Sequence, residues 1–195
     1  MSYRPWKVHE RNVAKALGGT RIPRGANFSK SLPDVISEVS FLDKDIILLA
    51  ECKHFASKPI FNVVSSLLDD KHDTVTIITP DKSNLIFFYI DNIKEIYKKD
   101  FYQKKNKTLD KKAPGYVVNY FQQAVGYIDL IFSDVFVKAY IASLFNKTID
   151  RDLTIPIVCL GQKKTSKIIC YTEKENIDYI NNLVYDKNKR KDSIS

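Results

Sequence analysis

Three carboxylates and one ammonium stand at spacings that metal-assisted phosphoryl chemistry uses. Glu10 lies in a helical stretch. Asp34 follows Pro33 at the start of an extended segment, and Glu51 and Lys53 flank Cys52 at the end of an apolar run. In a strand, residues i and i+2 point to the same side, so the Glu51 carboxylate and the Lys53 ammonium share a face while Cys52 faces away. Pairing of the two extended segments brings Asp34 beside Glu51. Two carboxylates and a backbone carbonyl make a hard-oxygen site suited to Mg²⁺ or Mn²⁺. A neighbouring lysine holds an attacking water or a scissile phosphate.

Each group also has a plainer reading. Acid-x-Lys triplets occur at Glu51, Asp69 and Asp110, and Pro-Asp occurs at Pro33-Asp34 and Pro80-Asp81. Only the Glu51 triplet ends an apolar strand, and only Asp34 precedes it at hairpin distance. Taken singly, Glu51 and Lys53 make an i,i+2 ion pair at a strand end. Asp34 is a turn residue after proline, and Glu10 is a salt-bridge partner for Arg11, Arg21 or another base. The ordered combination of all four singles them out.

The elements that must position these groups follow from periodicity. Trp6–Leu17 reads as a helix stopped by Gly18-Gly19. Trp6, Val13 and Leu17 share a face, and Glu10 falls at its edge, about 40° from Trp6 at 100° per residue. A carboxylate bordering a buried stripe is costly unless it is paired, binds a metal or reaches water. Thr20–Pro23 is a short extended piece. Pro33–Phe41 and the continuous run Asp45–Lys53 form a hairpin, the second strand being covered on both sides. Pro59–Asp70 is a helix, Thr74–Thr79 and Leu85–Ile90 are strands across the turn Pro80–Ser83, and Asp91 caps a short helix to about Lys99. Lys98–Lys112 has little apolar pattern and reads as a loop. Tyr116–Leu130 and Asp134–Phe145 are helical, with an ambiguous boundary near Ile131–Val137. Leu153–Leu160 and Lys167–Thr172 make a hairpin, and Lys174–Tyr185 is a last helix before a basic tail.

Length and composition bound the function classes. The chain has 195 residues, 44 % of them hydrophobic, with 11 Tyr and 11 Phe, so it can build a full core and is not a disordered chain. Its apolar runs, such as Ile46–Ala50, are too short to span a bilayer, and the N-terminus has no apolar signal core. Cys52, Cys159 and Cys170 lack paired zinc spacing and read as free thiols of a reducing cytoplasm, a host's cytoplasm where the source is viral. The net charge of +8 points to a polyanion, nucleic acid before membrane, against the plain alternative of a solvated lysine-rich surface. Met1–Ser31 carries seven basic residues against Glu10, and Lys98–Lys112 carries seven Lys and two Asp.

The ordered set Glu10, Pro33-Asp34 and Glu51-x-Lys53 resembles the PD-(D/E)XK nuclease superfamily. Within it, Glu10-Arg11-x-x-Ala14-x-x-Leu17-Gly18-Gly19-x-Arg21 followed by Pro33-Asp34-Val35 is similar to the archaeal and viral Holliday-junction-resolvase branch. The likeness covers about residues 6–90. Trp6 stands where that branch often has Gly. Arg24-Gly25 stands where it has Ser-Gly, with Ser29 or Ser31 as nearby substitutes. The resemblance implies an α/β, restriction-endonuclease-like αβββαβ core with a mixed central sheet flanked by helices over 1–100. Residues 101–195 are then a C-terminal α+β extension, helical and β-hairpin, packed on that core to make one compact domain.

It further implies a Mg²⁺-dependent DNA endonuclease, Mn²⁺ substituting. Asp34 and Glu51 hold the metal with the Cys52 carbonyl, Glu10 touches it directly or through water, and Lys53 is the catalytic lysine. Arg11, Arg21, Arg24 and Lys30 would track the DNA backbone. Gln123 and Tyr127 have the Gln-x-x-x-Tyr spacing that some relatives with RecB-type nuclease domains carry. The plain alternative is a polar pair on an aromatic-rich helix. His54, next to Lys53, reads as a strand-end polar residue before a proton carrier, and His9 and His72 have no partner evident from sequence. Branched DNA is the preferred substrate, and its symmetry predicts a homodimer with no membrane partner. Two alternatives stay open: a non-catalytic nucleic-acid-binding protein with a nuclease-like fold, and a restriction- or exonuclease-type enzyme acting on duplex or single-stranded DNA.

Overall fold

The structure, a computed structural model, describes residues 4–22, 32–41, 44–69, 73–78, 84–90, 93, 107–145, 148–162 and 168–179. Outside the described residues lie Arg24, Lys30, Ser29, Ser31 and His72, the Pro80–Ser83 turn, the 91–99 helix apart from residue 93, and the basic tail.

Helix α1 (Pro5–Leu17) opens on a proline, whose missing N–H costs nothing in a first turn. It ends at Gly18, which takes the left-handed conformation at φ 61°. The Gly18 and Gly19 N–H groups donate back to the Lys15 and Ala14 carbonyls, closing the helix where its sequence stops being apolar. Strands β1 (Thr20–Arg21), β2 (Val35–Phe41) and β3 (Lys44–Phe55) then form an antiparallel meander. A Cβ on Gly19 would lie 2.6 Å from the Ile36 carbonyl oxygen, so only glycine lets the chain leave α1 this close to β2.

Helix α2 (Lys58–Asp69), the hairpin β4 (Asp73–Ile78) and β5 (Asn84–Ile90), and helices α3 (Lys107–Ser133) and α4 (Val135–Phe145) follow. The chain returns through β6 (Thr154–Gln162) and β7 (Ile168–Glu173), and residues 174–179 begin a helix. The architecture is α/β, a mixed sheet flanked by helices. Its strand order is β1-β2-β3-β6-β7-β5-β4. The β3–β6 and β5–β7 pairs are parallel and the others antiparallel. A further pairing of Ser40 with Ile78 brings β4 round to β2, so the sheet curls back on itself.

The linear sequence α1-β1-β2-β3-α2-β4 is present, and the parallel neighbour of β3 is β6. The 101–195 segment shares one sheet with the strands that precede it. Its hairpin occupies the middle, and β6 is buried from Thr154 through Gly161. One expectation is corrected: Lys107–Lys112 begin α3 instead of belonging to a loop. Lysine is a good helix former, so a helix can extend there without an apolar stripe. The ambiguous boundary near Ile131–Val137 resolves at Asp134, whose Oδ1 accepts from the Phe136 and Val137 N–H groups at 3.1 and 3.2 Å and caps α4.

The sheet faces are covered differently. Val13, Ala14 and Leu17 of α1 pack on Val35, Leu48, Ala50, Ile157 and Cys159. Cys52, Cys159 and Cys170 align across three strands on this side and are free, buried thiols. On the other face, α2 and α3 cover Phe55, Val158, Leu160 and Tyr171, while Tyr127 and Ile131 of α3 and α4 cover Ile36, Ile47 and Leu49. The odd-numbered residues of β3 thus run from one apolar cluster at Leu49 to another at Phe55. Glu51 and Lys53 lie in the seam between them. Among the described residues, no helix is long and apolar enough to cross a membrane.

Candidate active site

The antiparallel register that sets Val35 opposite Ala50 places Asp34 opposite Glu51 when continued one step. The Asp34 N–H donates to the Ala50 carbonyl at 3.0 Å, and Asp34 Oδ2 accepts from the Cys52 N–H at 2.9 Å. The carboxylate is therefore fixed against the backbone that follows Glu51. Glu51 and Lys53 share the α3 face, and their side chains form an ion pair. The Tyr127 hydroxyl donates to the other Glu51 oxygen. Glu10 comes from α1, on the opposite face, and pairs with the Arg21 guanidinium at 2.5 Å.

All three acids are nearly inaccessible: Glu10 is 2 % exposed, Asp34 4 % and Glu51 3 %. They surround one residue. The Cys52 thiol is pushed well above its ordinary range, first by burial and then by the charges of Asp34, Cys170, Glu10 and Glu51. Burying three carboxylates is expensive, and each needs compensation. Arg21, Lys53, Tyr127 and the Cys52 N–H supply part of it.

The residues expected from sequence fare differently. Asp34, Glu51 and Lys53 come together at the seam, with Cys52 between the latter two. Glu10 reaches the same neighbourhood from the far face of the sheet. Arg21, expected to track the DNA backbone, has its guanidinium paired with Glu10. Arg11 is exposed on α1. Gln123 and Tyr127 part company, since Gln123 is exposed while Tyr127 is buried against Glu51. The two plain alternatives of an i,i+2 pair at Glu51–Lys53 and a Glu10–Arg21 bridge are both present in the structure. Among the described residues, no three His, Cys, Asp or Glu side chains converge as a metal-holding group. The donor types, carboxylate and carbonyl oxygen, nonetheless suit a hard dication.

His9 has a partner that sequence did not disclose. Its Nε2 lies 3.0 Å from the Cys159 carbonyl oxygen, buried between α1 and β6. The ring occupies the space above Gly161, where a Cβ would lie 2.2 Å from His9 Nδ1. A glycine inside an apolar strand run marks such a close approach, and that was the readable clue. Gly161→Ala is expected to destabilise the fold by about 1–3 kcal/mol through overpacking, measured by urea unfolding. An unchanged midpoint would show that α1 does not dock here.

Burial lowers the His9 pKa, aided by His54, whose ring centroid is 6.0 Å away. The Cys159 bond and the Asp34 charge oppose this without reversing it. The unfolded chain binds a proton near 6.5, whereas the folded chain does so only at lower pH. Stability is therefore expected to fall as pH drops from 6.5 through the folded value. Unfolding at about pH 7.5 and about pH 5.5 checks this. The difference should shrink in His9→Gln, and an unaltered difference would assign the effect to another group.

No family model, curated protein or solved structure matches the chain.

Proposed function

We propose that the chain is a metal-dependent DNA endonuclease that hydrolyses phosphodiester bonds, structure-selective on branched DNA. One observation carries the reading. Three carboxylates, each at most 4 % exposed, gather about Cys52 with Lys53 beside them, at the junction of two strands and a basic helix. Hydrophobic side chains would fill that seam at less cost, so the acids call for a chemical role.

Asp34 and Glu51, with the Cys52 carbonyl, would hold Mg²⁺ or Mn²⁺, and Glu10 would touch it directly or through water. When bound, the ion polarises the phosphate and lowers the pKa of a bound water. Lys53 steadies charge growing on the phosphate oxygens. Tyr127 orients Glu51 by donating a hydrogen bond to it. Arg11, exposed on α1, contacts the DNA backbone.

The binding-module reading has one observation in its favour: Glu10 and Glu51 each carry their own cation. Cleavage of branched, duplex and single-stranded DNA with Mg²⁺ decides between them. Loss of cleavage in Asp34→Ala and Glu51→Ala supports the enzyme. No cleavage of any substrate by the wild type refutes it. A branched substrate asks for a symmetric dimer, and Val135 and Phe136, 79 % and 81 % exposed at the start of α4, offer it a surface.

A further inference from the structure

Beyond Lys53, the seam continues into aromatic rings that hydrolysis itself does not use. Tyr116 and Tyr120 stand one turn apart on α3. Their rings stack with centroids 5.8 Å apart and an interplanar angle of 27°. Phe55, two residues past Lys53 on the same face of β3, sets its edge against Tyr116 at 6.0 Å and 79° and lies 6.3 Å from Tyr120. The Lys53 ammonium sits 5.0 Å from the Tyr120 centroid. Val117 and Phe121 beside them are buried, whereas Tyr116 and Tyr120 are only partly covered. The interior of this helix face is thus aliphatic and aromatic core, and its rim next to Lys53 is a pair of stacked phenols.

We infer that Tyr116 and Tyr120 form a stacking platform for an unpaired nucleobase adjoining the phosphodiester held at Lys53. This rests on the nuclease reading above and adds its substrate feature. Every base has a π-face, so stacking on tyrosine binds without regard to sequence, and each stacked base contributes roughly 1–3 kcal/mol. In a continuous duplex both faces of a base are already stacked on its neighbours. The platform therefore selects nucleotides splayed out at a branch or a strand end. Tyr120 is suited to lie beside phosphates: burial, then Tyr116 and Glu51, raise its pKa above the ordinary 10.0, so the ring carries no charge. The cation–π contact also ties the platform to Lys53, so a base arriving on the rings lies beside the lysine.

The test uses the full chain and a branched oligonucleotide with one unpaired 2-aminopurine at the branch, Ca²⁺ replacing Mg²⁺. Binding is expected to quench its fluorescence. Tyr116→Leu and Tyr120→Leu should abolish the quenching and weaken binding to this DNA about tenfold, leaving affinity for a paired duplex unchanged. Tyr116→Phe should retain both signals, which guards against a Leu variant that fails to fold. Cleavage by the wild type without quenching would overturn the platform and leave the nuclease standing. Quenching without cleavage in Mg²⁺ would keep the platform and remove the hydrolytic reading. An equal loss of affinity for paired duplex in the Leu variants would also overturn the platform.

Discussion

Lys53→Ala is expected to lower the rate of DNA cleavage about 10²–10³-fold, the usual cost of removing one preorganised charge from a reacting centre. Lys53 is paired with the Glu51 carboxylate and lies against the Tyr120 ring, so both contacts favour one setting of its ammonium. The variant leaves Glu51 with the Tyr127 hydroxyl but without its cation. Urea unfolding must therefore accompany the kinetics, because an unpaired buried carboxylate also destabilises. Cleavage by a folded Lys53→Ala at the wild-type rate would strike this lysine from the mechanism. Reduced turnover with unchanged DNA affinity is the outcome that fits a group acting on the reacting phosphate.

Arg21→Ala is expected to cost about 2–3 kcal/mol of stability, since it removes a cation paired with the buried Glu10 carboxylate. The estimate sits below the full cost of breaking a buried pair because the Arg21 side chain is 23 % exposed and water offsets part of its loss. The double variant Arg21→Ala with Glu10→Gln should recover much of the stability, because the charge that needed compensation is gone. Denaturant midpoints of the wild type, both single variants and the double variant give this directly. Failure of the double variant to recover would mean that Arg21 acts through packing and not through Glu10. If Glu10 also serves the reaction, the stable double variant should cleave DNA poorly. Stability and activity then separate within one set of proteins.

Much of the frame was legible. The uninterrupted run Ile46–Ala50 announced a strand covered on both sides, and β3 is buried along it. Gly18-Gly19 announced the end of α1 to the residue. Alternation placed Glu51 and Lys53 on one face and Cys52 on the other, as observed. The distant pairings were not legible. Nothing in the spacing of Thr154–Gln162 says that it lies between β3 and β7, because strand order is set by which apolar faces find each other. The same limit hid the Cys159 carbonyl from His9 and Glu51 from Tyr127. A helix shows which residues share a side, but the tyrosine's partner depends on how α3 docks. Arg21 was one of several bases that the sequence offered to Glu10, and only the fold picks it out.

The central position of β6 has a consequence for how the chain acquires its structure. Leu48 faces Ile155, a partner synthesised roughly a hundred residues later, and contacts of such long sequence separation slow folding. The hairpins β2–β3 and β4–β5 pair locally and can form early. Each must wait with an apolar edge uncovered until the C-terminal hairpin inserts between β3 and β5 and seals the sheet. On the ribosome that interval lasts for about half of the chain's synthesis, and it exposes the strand that carries Glu51 and Lys53. The residues on which the proposed chemistry depends therefore lie on an edge that stays open to mispairing until β6 arrives.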